Sequence, residues 1–308
     1  MDEFELIRHY FGRAHGHGAG VIVGIGDDGA ILEPSPGRQL VNVIDTIVEG
    51  VHFPPGRSPA DIAYRAVAIN LSDIAAMGAV PRWMTLALSM PASSDEWLQA
   101  FSGGLFAAAE EFSVELVGGD TTRANELVVS VQITGEVDAD SALRRDGATA
   151  GDTIYVTGTV GDAAAGLQGL RTGNSVKELI ARFARPSARV EYGQALAGVA
   201  SACIDVSDGL YADLSKLLAA SELGAGIELA KLPISAALAE NYSSEEQRNL
   251  ALGGGDDYEL CFTASRALPD PGMVRVTGIG TVTEAPGIVC RLDGDVVPFD
   301  DTGYRHFQ

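Results

Sequence analysis

The sequence predicts a mixed α/β (α+β) chain of two domains. Three observations carry that expectation. Short apolar runs alternate along most of the chain with longer stretches of helical periodicity. The length, 308 residues, exceeds what one hydrophobic core usually serves. A polar stretch over 138–151, containing Arg144-Arg145, interrupts the pattern near the middle. The domains are therefore placed at 1–138 and 139–308.

Residues 2–12 read as a short amphipathic helix with Phe4, Leu6, Ile7 and Phe11 apolar. His15-Gly-His17-Gly reads as a loop, and no carboxylate or Cys spacing supports a metal role for it. Val21 to Val23 then begins a strand that ends at Gly24-Ile-Gly-Asp-Asp28-Gly29, a tight turn presenting two adjacent carboxylates. Gly24-x-Gly26-x-x-Gly29, with Glu49 about 20 residues on, matches the dinucleotide fingerprint. The fingerprint needs a helix at the third glycine. Ala30-Ile-Leu-Glu-Pro34-Ser-Pro36-Gly37 cannot supply one, so a Rossmann site is set aside. Leu40 to Ile44 reads as a buried strand followed by Asp45-Thr46, and Val51-His52-Phe53-Pro-Pro55 closes that unit.

A helix is expected from Pro59 to Met77, stopped by Gly78 and Pro81. It is apolar on nearly all sides, which implies burial, yet Asn70 and Asp73 share one of its faces. Trp83–Met90 reads as a strand, Ser93-Ser-Asp-Glu96 as a capping box for a helix through Phe112, and Val114–Val117 as a strand. Gly118-Gly-Asp120-Thr-Thr-Arg123 follows as a glycine-rich turn, then a strand over Leu127–Val137. In the second half, Thr153–Thr157 is a strand and Gly158–Gly161 leads into a helix. A helix is expected over Ala188–Val199, and a strand over Ile204–Val206. Ser207 is expected to cap a helix from Asp208 to Ser221. A polar loop over 241–248 precedes Gly253-Gly-Gly-Asp256-Asp-Tyr258 and a strand over Glu259–Thr263. Val274–Val282 and Ile288–Leu292 close the sheet.

Composition narrows the partners. Hydrophobic content of 46% supports folded cores. No segment has the apolar length of a membrane span, and the acidic start Met1-Asp-Glu-Phe-Glu is unlike a secretory leader. Cys203, Cys261 and Cys290 lie far apart among apolar neighbours, so they are read as reduced core residues of a cytoplasmic protein. A net charge of −21, from 42 acidic against 21 basic residues, argues against nucleic acid.

The chemistry lies in the aspartates. Asp27, Asp28, Asp45, Asp73, Asp120, Asp205 and Asp208 recur beside apolar or glycine-rich stretches. So many carboxylates near apolar segments need cations to neutralise them, and Mg²⁺ takes oxygen ligands. Phosphoryl transfer needs positioning and charge neutralisation, which bound Mg²⁺ supplies. Glycine-rich turns and helix starts at Gly118-Gly119, Gly158–Gly161 and Ser207 can add backbone N–H donors to phosphates. The sequence holds no P-loop and no protein-kinase motif set. No residue shows the nucleophile–base pairing of covalent catalysis, so none is assigned as a nucleophile. The residues alone lead to a multi-Mg²⁺, nucleotide-using enzyme, with a non-catalytic metal- or nucleotide-binding protein as the rival class.

Seven stretches, in order, resemble the thiamine-monophosphate kinase family of the aminoimidazole ribonucleotide synthetase superfamily. They are Gly24-Ile-Gly-Asp-Asp28, Asp45-Thr-x-x-x-Gly-x-His-Phe53, Asn70-Leu-Ser-Asp-Ile-Ala-Ala-Met-Gly-Ala79, Gly118-Gly-Asp-Thr-Thr-Arg123, Val156-Thr-Gly-Thr-x-Gly-Asp162, Ile204-Asp-x-Ser-Asp-Gly-Leu210 and Gly254-x-Asp-Asp-Tyr-Glu-Leu260. The resemblance implies ATP-dependent phosphorylation of thiamine phosphate to thiamine diphosphate by a homodimer using several Mg²⁺ ions. It implies an N-terminal domain that binds metal and nucleotide and whose sheet forms a dimer barrel. A C-terminal α/β domain completes the site. By motif, Asp28, Asp45, Asp73, Asp120, Asp205 and Asp208 correspond to metal ligands, and at Ile44 only the backbone could contribute. Gly119, Asp120, Arg145 and Ser207 correspond to ATP contacts, and His52, Asp256 and Tyr304 to thiamine-phosphate contacts. Asp256 stands where the family usually has Glu, so its carboxylate reaches one methylene less. Within the superfamily, a selenophosphate synthetase would need an N-terminal reactive Cys, and a hydrogenase-maturation protein a C-terminal one. Neither is present here. An aminoimidazole ribonucleotide synthetase-like ligase remains the alternative, with His52-Phe53 and the Gly-x-Asp-Asp-Tyr-Glu stretch favouring the thiamine enzyme.

Overall fold

The computed structural model describes residues 3–12, 20–92, 94–173, 176–299 and 303. His15, His17, Ser93 and Tyr304 therefore lie outside the described residues. The chain divides into two compact units, residues 1–74 with 79–140 and residues 75–78 with 141–308.

The first unit opens with α1 (Glu3–Leu6), continued by a π-helical turn over Ile7–Phe11 that buries Tyr10 and Phe11. β1 (Val21–Val23) and β2 (Ile31–Leu32) form a small antiparallel hairpin around the Asp27-Asp28 turn. Strand β2, not a helix, follows Gly29, as the prolines require. A four-stranded sheet has the order β3-β6-β4-β5, with β3 (Arg38–Val48), β4 (Val80–Met90), β5 (Glu115–Arg123) and β6 (Val128–Asp138). Only the β4–β5 pair is parallel. The face carrying Val129, Val131, Ile133, Met84, Leu86 and Leu88 is buried. α2 (Pro59–Ala76) is buried along nearly its whole length, as its composition demands. α3 (Asp95–Glu111) is capped by Ser94, whose hydroxyl accepts from the Trp97 N–H.

Three expectations for this unit are corrected. β3 runs through Asp45 to Val48, so Asp45 lies within the strand rather than after it. That strand is not buried on both faces: Leu40 is 47% and Ile44 66% exposed. One face of an antiparallel sheet can stand open, and an apolar run cannot tell a strand covered on one face from one covered on both. Likewise Gly118-Gly119 is no turn. β5 continues through it to Arg123, with an irregular register against Met84 and Thr85. A Cβ on Gly119 would lie 2.0 Å from the Leu86 carbonyl oxygen, so glycine here permits close strand approach rather than a bend.

The second unit holds a seven-stranded sheet in the order β13-β12-β9-β11-β7-β10-β8. Its strands are β7 (Thr153–Thr157), β8 (Ala202–Asp205), β9 (Gly224–Glu228), β10 (Leu260–Ala264), β11 (Val276–Thr283), β12 (Gly287–Leu292) and β13 (Asp295–Val296). All neighbours are antiparallel except β12 and β9. The helices are α4 (Asp162–Thr172), α5 (Lys177–Ala184), α6 (Val190–Ala195), α7 (Leu210–Ala220), α8 (Ala236–Asn241) and α9 (Ser244–Gly253). Ile154, Ile204, Leu214, Leu217, Ile227 and Ile279 sit in one core cluster beneath them. Cys203, Cys261 and Cys290 are free thiols and buried, and desolvation by burial pushes all three above the usual thiol range.

Here α5 and β9 were not anticipated. The helix expected over Ala188–Val199 shortens to α6. The supposed polar loop at 241–248 is largely α9, begun by a full capping box between Ser243 and Glu246. Ser-x-x-Glu was legible there, but the low apolar content of the segment concealed a helix whose inner face is narrow. Ser207 does not cap α7 either. The helix starts at Leu210, and Gly209 at its N-cap makes no side-chain cap bond.

Candidate functional site

In the first unit a cavity of about 440 Å³ brings together two of the glycine–aspartate motifs. Asp27, Asp28 and Gly26 line it from the hairpin turn, and Gly118, Gly119 and Asp120 from β5. Ile7, Phe11, Leu86 and Leu116 give it an apolar wall. The turn is held locally: the Asp28 N–H donates to Asp27 Oδ1 at 2.9 Å. The cavity thus combines exposed carboxylates, a strand without side chains at Gly118-Gly119, and apolar surface. An anionic ligand with a flat apolar end, paired with a cation, suits all three.

The other sites expected in this unit are placed separately. Asp45 is half-buried on β3, in register with Val131. Asp73 is half-buried on α2, one turn beyond Asn70, which is fully buried and donates through Nδ2 to the Ala66 carbonyl. His52 is oriented by its own turn. Its Nδ1 accepts from the Val48 N–H at 3.0 Å, and its N–H donates to the Val48 carbonyl at 2.9 Å. Nδ1 must then carry the lone pair, which leaves the proton on Nε2.

In the second unit two acidic loops are stitched together by backbone bonds. The Asp256 N–H donates to the Ser207 carbonyl and the Tyr258 N–H to the Val206 carbonyl, both at 2.8 Å. Asp205, Ser207, Asp208 and Asp256 are thereby gathered at one end of the sheet. Asp205 is buried at the end of β8, paired with Leu260, while Ser207, Asp208 and Asp256 are half-buried. Gly255, Asp256 and Tyr258 all have positive φ, 69°, 63° and 52°. For a bulky residue such as Tyr258 that conformation is unfavourable and is held by its surroundings. The Tyr258 hydroxyl also donates to Asp256 Oδ1 at 3.2 Å.

Arg145 is placed elsewhere in that unit. It is exposed, and its carbonyl accepts from Ser221 Oγ beyond the C-terminal end of α7. Ser207 and Asp208 precede the N-terminal end of that 11-residue helix, about 16 Å away along its axis.

Three buried carboxylates that sequence reasoning did not single out hold these loops. Asp213 Oδ2 accepts from the N–H groups of both Ser207 and Asp208 at 2.9 Å. Its other oxygen and Asp208 Oδ2 share the Lys216 ammonium, at 2.8 and 2.5 Å. Burial raises Asp213, with Lys216 opposing; burial works against the Lys216 charge, but its two carboxylates raise it overall. Asp257 accepts from the Gly161 and Ala163 N–H groups at the start of α4, at 2.7 and 3.3 Å. Its complete burial raises it well above the usual carboxylate range. Glu259, with no exposed surface, accepts from Arg182 and twice from Arg189, each at 2.6 Å, and from Thr157 at 2.7 Å. Its carboxylate lies where a Cβ on Gly158 would be, 2.0 Å from that point. The Val156–Asp162 and Gly254–Leu260 motifs are therefore two halves of one packed unit. The signal for Asp213 was its place in the first turn of α7, where a carboxylate favours unpaired N–H groups.

The donor set throughout is oxygen, which fits Mg²⁺. Among the described residues no three His, Cys, Asp or Glu side chains form a ready metal cage. Mg²⁺ rarely uses one, binding instead through one or two carboxylates together with substrate phosphates. No helix among the described residues is long and apolar enough to cross a membrane.

Comparisons with known proteins agree with this layout. Residues 26–137 match the AIR synthase related protein N-terminal domain, and residues 149–293 the corresponding C-terminal domain. The chain is 45% identical to thiamine-monophosphate kinase of Escherichia coli strain K12 over 319 residues, covering 99% of this chain and 98% of that one. It superposes on the crystal structure of thiamine-monophosphate kinase from Stenotrophomonas maltophilia K279a with a TM-score of 0.86 and 41% identity, covering 96% and 98% of the two chains. A structure of AaThiL complexed with AMPPCP and TMP gives a TM-score of 0.80 at 32% identity, over 99% of this chain and 96% of that one.

Proposed function

The chain belongs to the thiamine-monophosphate kinase family, and on that premise we propose that it transfers the γ-phosphoryl group of ATP to thiamine phosphate, giving thiamine diphosphate and ADP. The observation that carries this reading to particular residues is the first unit's cavity, which joins the Asp27-Asp28 turn to Gly118–Asp120 beside an apolar wall. ATP has the matching parts: a triphosphate that requires a cation and a flat base that requires apolar contact.

A terminal oxygen of thiamine phosphate attacks the γ-phosphorus in line. One P–O bond forms as the bond to ADP breaks. The second ionisation of a phosphate monoester lies near pH 6, so the nucleophile is already anionic and needs no general base. No residue acts as a covalent nucleophile. Asp28, Asp45, Asp73, Asp120, Asp205 and Asp208 would hold Mg²⁺ ions, which would supply charge neutralisation for the phosphates. Gly119 and Asp120 are assigned as nucleotide contacts through backbone and carboxylate, and Ser207 and Arg145 are assigned to the nucleotide by the same motif correspondence. His52, fixed by Val48, donates through Nε2 to the thiamine phosphate. Asp256 and Tyr304 complete the substrate contacts.

The protein works as a homodimer in the cytoplasm. The dimer reading is supported by β3, an 11-residue edge strand with Leu40 and Ile44 exposed on the same face as Asn42 and Thr46. A long edge with apolar side chains requires cover.

The test is ADP release by the purified protein with ATP, Mg²⁺ and thiamine phosphate, with the product identified by chromatography. Thiamine diphosphate formation that EDTA abolishes is the expected result. Turnover with formylglycinamidine ribonucleotide instead would replace the substrate and keep the fold. No turnover with either would leave a non-catalytic binding protein.

A further inference from the structure

The loop carrying Asp205, Ser207 and Asp208 has an ammonium group built into it. Lys216 lies on α7, three residues after Asp213. Side chains of a helix lean toward its N-terminus, so a lysine at this position covers the preceding turn and its stem extends toward the loop before the helix. Nζ is 2.8 Å from Asp213 Oδ1 and 2.5 Å from Asp208 Oδ2. The two partners are not equivalent. Asp213 is 1% exposed and already holds the Ser207 and Asp208 N–H groups, so its place is fixed. Asp208 is 35% exposed and Lys216 44%, so their contact is open to solvent. Ion pairs of that kind are weak, and lysine is a mobile point charge that can change partner geometry without losing its anchor.

We propose that Lys216 is the resident counter-cation of Asp208, an exchangeable ammonium that a divalent ion must displace, so that this lysine sets the metal concentration the site requires. The proposal rests on the reading of Asp208 as a metal ligand. Anchored on Asp213, the ammonium offsets one negative charge of the loop before metal binds and moves aside without leaving. Lys216 is thus a positioning residue, acting on the metal through Asp208.

Mn²⁺ titration of the full-length protein, followed by the electron paramagnetic resonance signal of free Mn²⁺ and without nucleotide, tests this. Lys216→Met should bind Mn²⁺ at least about threefold more tightly, and Lys216→Arg, which keeps the charge, should match the unmodified protein. In an Asp208→Asn background the Lys216→Met gain should vanish, whereas a general effect of net charge would persist and overturn the proposal. Unchanged or weaker binding in Lys216→Met, with Asp208→Asn still losing affinity, overturns the proposal and leaves the metal reading intact. Unchanged binding in Asp208→Asn removes both. Should Lys216→Met fold poorly because Asp213 loses its partner, Asp213→Asn against Asp213→Asn/Lys216→Met gives the same comparison with the buried charge removed.

Discussion

At the scale of single residues, the site divides into groups that face a ligand and groups that hold them. Asp73 belongs to the first kind in the reading above, half-buried on a helix that is otherwise apolar. Asp73→Asn keeps the shape and removes the charge. Turnover should fall of order a hundredfold or more, while the urea midpoint stays unchanged; a near-normal rate would remove Asp73 from the metal set. Asp213 belongs to the second kind. Asp213→Ala leaves the Ser207 and Asp208 N–H groups without their acceptor and should cost about 1–3 kcal/mol in urea unfolding as well as activity. Loss of activity with no loss of stability would place Asp213 on the ligand instead. Such holding residues were hidden in the sequence because their partners are backbone groups several residues away, fixed only by the fold.

At the scale of elements, strand geometry decides what the glycines do. The Gly118-Gly119 pair looks like a turn in the sequence, yet hydrogen bonding to β4 carries β5 through it to Arg123. Gly119→Ala would drive a methyl group into the Leu86 carbonyl and push β5 off β4. The expected destabilisation is about 1–3 kcal/mol, accompanied by weaker binding of a non-hydrolysable ATP analogue in calorimetry. Unaltered nucleotide affinity would separate this strand from the nucleotide site. Glu136 on β6 shows how the chain entering β3 is tied down. Its carboxylate accepts from the Ser35 N–H and hydroxyl at 2.7 and 2.8 Å, with Arg82 3.5 Å away. Burial raises it, but the Ser35 bonds and the charges of Arg82 and Arg38 outweigh that and leave it below the usual glutamate value. A depressed carboxyl stabilises the fold above its unfolded pKa and loses that contribution as pH falls through its folded one. Glu136→Gln should therefore lower the urea midpoint at pH 7, and the difference from the unmodified protein should shrink on acidification to pH 3. A difference that stays constant over that range would assign the effect to packing.

At the scale of the whole molecule, the exposed face of β3 bears on assembly. Leu40 and Ile44 stand on it among Asn42 and Thr46, and Asn42 and Thr46 bond across to Thr134 and Ser130 of β6. Ile44→Glu would place a charge in the middle of that face and should weaken dimerisation at least about tenfold, read as a shift toward monomer in sedimentation velocity. A protein that is monomeric before the change, or a dimer indifferent to it, would refute the role given to β3. The strand reads as buried in sequence because Leu40 and Ile44, on its outward face, are apolar like most of its inward residues, a pattern produced equally by a core and by an interface.

The sequence by itself determined the α/β class, most of the strands and the order of the acidic motifs. These follow from local patterns: apolar runs, helical periodicity, and glycines beside aspartates. Tertiary structure alone decided which motifs meet. Contact between Asp27-Asp28 and Gly118–Asp120 depends on strand order and register, and neither is encoded within a short window. The same holds for Glu259 filling the space above Gly158 and for Lys216 spanning Asp213 and Asp208. In each case a side chain's role is set by neighbours distant in sequence or one helical turn away.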